Sequence, residues 1–216
     1  MGSSFCRRII PLQTTTVYVL TNRNFNKWIA FLESKGYSNH WQDLNAKDYG
    51  IPQSRNRCYM VSILGDYSYE FPVPVTLERT LKDVLEQEVD EKYYLSDKKL
   101  QTIHHWNSLE RPLEKVYGKN SIARTLTTRS GAECGSLATY SEQFEETTNI
   151  VPMLEYNGTG LRIRKLTPKE CWRLMGFDDT NVENATKVCS NSQLYKQAGN
   201  SIVVDVLMAI FKEMVQ

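Results

Sequence analysis

Gln53, Arg55 and Arg57 stand at alternate positions within DYGIPQSRNRCYMVSI, immediately ahead of an apolar run. In an extended backbone, side chains at i, i+2 and i+4 point to one face. The three would then form a row of donors, stiffened at its start by Pro52. Such a row suits an acceptor-rich ligand, because Arg presents a planar fork that stays charged and pairs with phosphate or with a base carbonyl oxygen. A solvated edge strand shows the same alternation, so the rest of the chain has to decide between the two.

A second set of candidate contacts is basic. Arg111, Lys115, Lys119, Arg124 and Arg129 precede a stretch from Glu133 to Glu155 that has acidic residues and no Lys or Arg. Basic residues in such a cluster can follow a phosphate backbone; a mixed solvated surface is the alternative. His104 and His105 would point about 100° apart on a helix, which argues against a shared metal. Five cysteines, irregularly spaced and without a C-x-x-C pair, indicate neither a disulfide framework nor a zinc site and fit a reduced, cytoplasmic protein.

These residues need elements to position them. Phe25, Trp28, Ile29 and Leu32, at i, i+3, i+4 and i+7, predict an amphipathic helix with Gly36 at its C-cap. Tyr37 to Ala46 reads as a short strand and Cys58 to Leu64 as a buried one. Helices are expected over Thr80 to Gln87 and, with Ser96 as N-cap, over Ser96 to Leu109. From Arg111 to Gly160 the periodicity fades into a small strand-and-loop region. Thr167, Pro168 and Glu170 then form a capping box with proline at the first helical position, and Gly176 closes that short helix. A last helix, from about Ile202 to Met214 and opened by Gly199, Asn200 and Ser201, has little polar face and must be buried. Residues 1–24 carry no clear period beyond a strand-like VYVL.

With 216 residues, 41% hydrophobic and 24% charged, the chain reads as one or two globular domains. Its formal net charge of +1 supplies no global basic field, so contact with nucleic acid has to come from local clusters. The start, MGSSFCRRIIPLQ, lacks the apolar segment of a signal peptide, and no membrane association is expected.

Three stretches stand in one order: LNAKDYGIPQSRNR, RKLTPKECWRLMGF and LYKQAGNSIVVDVL. Together they closely resemble the last three motifs of DNA cytosine C5 methyltransferases of bacterial or phage type, with weaker agreement at SIARTLTT. The resemblance covers most of residues 25–87 and 161–211. It implies an α/β fold, the C-terminal part of a Rossmann-like methyltransferase core plus a small strand-and-loop target-recognition domain. The division would be an atypical segment over 1–24, a partial catalytic core over 25–87, target recognition over 88–160 and a return to the core over 161–216.

The same resemblance implies double-stranded DNA as partner, S-adenosylmethionine as cofactor and a restriction-modification or phage setting. Gln53, Arg55 and Arg57 would line the pocket for a flipped cytosine, with Arg57 on its O2 and Arg55 supporting it or a phosphate. Gly199, Asn200 and Ser201 would close the cofactor pocket at a helix N-terminus, oriented by Gln197. Thr125 and Leu126 would contact the backbone beside the flipped base, flanked by Arg124 and Arg129 on phosphate or guanine. Arg164, Glu170 and Arg173 would dock the two domains together.

The family's reaction also uses a Pro-Cys nucleophile, a Glu-Asn-Val acid motif and a Gly-rich cofactor loop, all upstream of the motifs found here. The five cysteines follow Phe5, Arg57, Glu133, Glu170 and Val188, so the sequence contains no Pro-Cys. Glu183-Asn184-Ala185 follows the capping-box helix and is out of place, and Gly158-Thr159-Gly160 is not a cofactor loop. Cytosine C5 is a poor nucleophile without covalent activation. The chain alone is therefore expected to be inactive, and its expected partner is an N-terminal catalytic half on a separate chain. A truncated remnant and a non-catalytic, sequence-selective DNA-binding module are the alternatives.

Overall fold

The structure is a computed structural model that describes residues 15–20, 25–96, 116–117, 119–127, 137–140 and 162–215. Its elements, in chain order, begin with β1 (Thr15–Leu20), α1 (Phe25–Glu33), β2 (Tyr37–Asn45), β3 (Gln53–Ser54) and β4 (Asn56–Leu64). After these come β5 (Val116–Tyr117), β6 (Ala123–Arg124), β7 (Leu137–Tyr140) and β8 (Arg162–Lys165). The chain finishes with α2 (Pro168–Arg173), α3 (Asp179–Thr186), α4 (Asn191–Asn200) and α5 (Val204–Met214).

The apolar run of β4 makes it the central strand of an antiparallel sheet in the order β1-β4-β2. Its period of two divides the side chains between two layers. Met60 packs with Ile29 and Leu32 of α1, whereas Tyr59, Val61 and Ile63 enter the main core with Leu81, Val84, Leu126, Leu174, Val206 and Ile210. The α1 helix forms where its i, i+3, i+4, i+7 pattern predicts, and Gly36, at φ +82°, lets the chain turn back into β2.

Residues 1–24 are not wholly apart from the core. Strand β1 pairs with β4 along its length, from Thr15 opposite Ile63 to Leu20 opposite Cys58. Two smaller sheets complete the strands: β3 pairs with β6 in parallel, and β5, β7 and β8 form a three-stranded sheet.

The Thr80–Gln87 helix reduces to one 3₁₀ turn, Leu81–Asp83. Non-local bonds override local propensity there. The Glu86 N–H, which a continuing helix would direct to Lys82, donates instead to Glu170 Oε1 at 2.9 Å. The Ser96–Leu109 helix lies outside the described residues beyond its first position. The last helix starts at Val204, not Ile202: Val203 is extended (φ −69°, ψ 121°) and serves as N-cap, and the Val204 N–H, which has no helical partner, donates to the Met175 carbonyl at 2.9 Å.

The capping box forms as expected: the Thr167 hydroxyl accepts from the Glu170 N–H, and the Glu170 carboxylate accepts from the Thr167 N–H. That carboxylate also takes both Nη groups of Arg164, at 2.8 and 2.7 Å, with neither side chain exposed. Glu170 thus joins β8, α2 and the segment after the 3₁₀ turn. Arg173 adds a second tie, donating to Asp179 with two nitrogens and to the Val84 carbonyl.

Removing one partner of a buried ion pair strands the other charge, at about 3–5 kcal/mol. Glu170→Ala is therefore expected to lower the urea-unfolding free energy by about that amount; a loss under about 1 kcal/mol would show that the pair does not hold these elements together.

Candidate functional site

The site is built from a turn upward. Asn45 caps the 3₁₀ turn Ala46–Tyr49, its Oδ1 accepting from the Lys47 N–H, and Gly50 leaves the turn at φ +86°. The same Oδ1 accepts the Arg55 N–H at 2.9 Å, and the Arg55 carbonyl accepts the Ala46 N–H at 3.0 Å. The chain is thereby bent back so that IPQSR runs under residues 121–127. Ala123 donates to the Pro52 carbonyl at 2.8 Å, and Gln53 and Ser54 pair with Ala123 and Arg124.

Within this frame the alternation of Gln53, Arg55 and Arg57 survives, but its outcome differs from an open row of donors. Gln53 is fully buried. Its Nε2 donates to the Leu174 carbonyl at 2.7 Å and its Oε1 accepts from the Leu126 N–H at 3.0 Å. Arg55, 6% exposed, donates through Nη1 to the Leu126 carbonyl (2.8 Å) and through Nη2 to the carbonyls of Gly199 (3.1 Å) and Ser201 (3.0 Å). Both side chains are committed to backbone groups of other segments. The reason is the cost of burial: a buried amide or guanidinium must spend its donors, and helix ends offer spare carbonyls.

Burial first, and then the neighbouring Arg57, pull the Arg55 guanidinium down to about 10, which leaves it charged at neutral pH. Arg57 is the half-buried member whose fork is still available. It gives one bond to the adjacent Asn56 carbonyl at 2.7 Å.

Gly199, Asn200 and Ser201 do not open a helix. They end α4, with Ser201 as its C-cap, and α5 begins only at Val204. Free carbonyls, not free N–H groups, therefore gather at this turn, and a cation, Arg55, satisfies two of them. Asn200 is exposed, with a carboxamide that offers a donor and an acceptor. The Ser201 hydroxyl turns to the Ile202 carbonyl at 3.1 Å. Gln197 does not reach this turn; its amide contacts the Cys189 sulfur at 3.7 Å. A signal for α4 was present in the sequence: Ser190, which caps it, stands three residues before Gln193 in a capping-box pattern.

Thr125 joins the same neighbourhood, its hydroxyl donating to the Ser54 carbonyl at 2.8 Å, while Leu126 is buried in the core. Arg124 is exposed on β6, and Arg129 lies outside the described residues. The stretch 121–127, read with the recognition insert, is thus built into the same core as β4.

Cys58 and Cys171 do not resemble activated nucleophiles. Burial, followed by the Asp43 carboxylate, pushes the Cys58 thiol up, which is opposite to what a reactive thiolate needs; Cys171 is buried. Among the described residues no His, Cys, Asp and Glu group is arranged to hold a metal ion, and no helix is long and apolar enough to cross a membrane.

Comparison with solved structures defines the fold. The Dnmt2 methyltransferase of S. pombe superposes with a TM-score of 0.75 at 21% identity, over 94% of this chain and 65% of that one. The Entamoeba histolytica methyltransferase EhMeth gives 0.73 at 19% identity, over 94% and 62%. The fold is that of an α/β methyltransferase.

The chain belongs to the C-5 cytosine-specific DNA methylase family, whose profile matches residues 17–216 and so takes in residues 17–20 of β1, upstream of Phe25. Among its relatives, Type II methyltransferase M2.ScrFI of Lactococcus lactis subsp. cremoris is 37% identical over 88% of this chain and 49% of its own length. Type II methyltransferase M.HhaI of Haemophilus parahaemolyticus is 32% identical over 81% and 52%. The chain spans about half the length of these curated relatives.

Arg55→Lys loses the fork that holds three carbonyls and is expected to cost about 2–3 kcal/mol in chemical denaturation, since hydrogen bonds to charged groups carry that order of energy. Arg57→Lys, at a fork with one local bond, is expected to stay within about 0.5 kcal/mol of the parent. Equal costs for the two would contradict the division of roles.

Proposed function

We propose that this chain contributes the recognition half of a DNA cytosine C5 methyltransferase, offering Arg57 to a cytosine flipped from duplex DNA. The single observation that carries this reading is the meeting of the Gln53–Arg57 strand with the Gly199–Ser201 turn, through Arg55, from opposite parts of the chain. Two of the three matching motifs become the two walls of one site.

Arg57 has the chemistry for the O2 of cytosine. A fixed cation at that acceptor stabilises electron density that accumulates on the ring when C6 is attacked. Gln53 and Arg55 act on the base only indirectly, by fixing the strand from which Arg57 projects. Thr125, held on Ser54 beside that strand, and exposed Arg124 are positioned to meet the sugar-phosphate backbone; Arg129 follows them in sequence as a further basic contact. The insert, residues 88–160, is the source of target recognition in this reading, with its stretch 121–127 joined to the core.

The Gly199–Ser201 turn fits S-adenosylmethionine in part. Asn200 offers an exposed carboxamide to polar groups of the cofactor, and the turn supplies a wall, but α4 ends here, so no helix N-terminus favours its carboxylate. When bound, the cofactor supplies the methyl group. This chain's residues bind and orient; the thiolate that activates the ring and the remainder of the cofactor pocket come from an upstream half, on the same polypeptide or another. No Pro-Cys occurs in the sequence, the Cys58 thiol is pushed up by burial and by Asp43, and Cys171 is buried. Free thiols at Cys58, Cys171 and Cys189 accord with work on DNA in the cytoplasm.

Transfer of labelled methyl from S-adenosylmethionine to mixed-sequence duplex DNA tests the reading. The chain alone is expected to give none, and the chain with an upstream half carrying Pro-Cys to give transfer that Arg57→Ala lowers at least tenfold. Transfer by the chain alone would refute the assignment of the nucleophile elsewhere. Salt-sensitive DNA binding with no transfer in the mixture would favour a non-catalytic binding module.

A further inference from the structure

A phenol taken out of water keeps its hydroxyl supplied with a partner. Among the described residues the buried tyrosines Tyr49, Tyr69 and Tyr195 follow that rule. Each donates to a backbone carbonyl: Tyr49 to Pro72 at 2.9 Å, Tyr69 to Ile210 at 3.0 Å and Tyr195 to Leu166 at 2.6 Å. Tyr59 is buried more deeply than any of these, at 2% exposed, yet its hydroxyl makes no hydrogen bond among the described residues. The other polar side chain buried on the same strand is spent, the Ser62 hydroxyl donating to Asn39 Oδ1 at 2.7 Å.

The position of Tyr59 says what its proton is for. Strand β4 continues the alternation that opens at Gln53, so Tyr59 shares a face with Arg57 at a spacing of about 6.6 Å along the strand. Both side chains are long enough to span that interval and meet on one group. Opposite Tyr59 on β2 stands Gln42, which is exposed, so the sheet is open at this rung. Burial pushes the phenol up, and Arg55 and then Arg57 pull it back without reversing the shift, so the hydroxyl is a neutral donor at neutral pH. Neither guanidinium can accept its proton, because Arg has donors only.

We infer that the Tyr59 hydroxyl donates to an acceptor oxygen of the flipped nucleotide beside Arg57, which makes Tyr59 a further contact to the target. The inference rests on the functional reading above and adds a residue to its site. A carbonyl or phosphate oxygen has more than one lone pair, and the fork of Arg57 leaves one of them to be filled. Arg57 supplies the charge, and Tyr59 supplies a directional neutral donor from the same strand face. The O2 of the base and an oxygen of its phosphate offer this chemistry alike.

The test uses the full chain with an isotopic carbon label at tyrosine Cζ, combined with an upstream half carrying Pro-Cys; Tyr59→Phe identifies the Tyr59 resonance. That resonance is expected to stay in place when the upstream half is added and to shift when mixed-sequence duplex DNA follows. Duplexes built only from A·T pairs separate the sources: a shift confined to DNA with cytosine assigns the base oxygen, and a shift with both assigns the phosphate. Tyr59→Phe is expected to keep the urea midpoint of the parent, whereas Tyr69→Phe, which loses the Ile210 carbonyl, lowers it. Loss of the one donor is expected to weaken DNA binding about fivefold. A shift already complete with the upstream half, no shift with DNA, a midpoint lowered in Tyr59→Phe as in Tyr69→Phe, or DNA binding by Tyr59→Phe equal to the parent would each overturn the assignment. Methyl transfer separates the two readings. A DNA-dependent shift at Tyr59 without transfer sinks the function and spares the contact, and transfer with unaltered kcat/KM in Tyr59→Phe does the reverse.

Discussion

A guanidinium taken out of water must replace several hydrogen bonds at once, and in this chain Arg55 does so with the carbonyls of Leu126, Gly199 and Ser201. Those carbonyls belong to segments that no local rule would bring near residue 55. The cation therefore dictates a tertiary arrangement: the strand before β4, the stretch around β6 and the end of α4 have to converge. Gln53 repeats the demand one step earlier, bridging Leu126 and Leu174. Once these two are satisfied, Arg57 is the side chain in the row with a fork to spare.

The same economy organises the other side of the core. Glu170 begins as a helix-capping carboxylate, a local device, and then receives Arg164 and the Glu86 N–H. A buried carboxylate with that many donors is well solvated by protein, which offsets the cost of burying its charge. Taken with Arg55, it means that internal charges of both signs hold this half of the fold against its own backbone. Gly176 shows how close the packing is: a Cβ there would collide with the Asp205 carboxylate at the start of α5.

Local features were legible in the sequence. The periodicity of α1, the capping box of α2 and the apolar run of β4 depend on neighbours within a few positions, and the structure has them. The roles of Gln53 and Arg55 were not legible, because their partners lie 71 to 146 residues away. An alternating row of donors reads alike whether it faces a ligand or another stretch of backbone. Gly199–Ser201 was misread for a related reason: a Gly-Asn-Ser turn ahead of an apolar run looks like a helix start, yet here it closes the preceding helix, which Ser190 opens. The 3₁₀ turn at Leu81 likewise shortened under a non-local bond to Glu170.

Guanidinium hydrogen exchange, followed by NMR on the chain labelled at arginine nitrogens, tests the central claim most directly. If Arg55 is an internal bracket and Arg57 the available cation, the Nη protons of Arg55 will be resolved and exchange slowly, and those of Arg57 will exchange at a rate close to that of solvent-facing arginines. Fast exchange at both would contradict the account, since an Arg55 open to water could not be holding the Gly199–Ser201 turn against the Gln53–Arg57 segment.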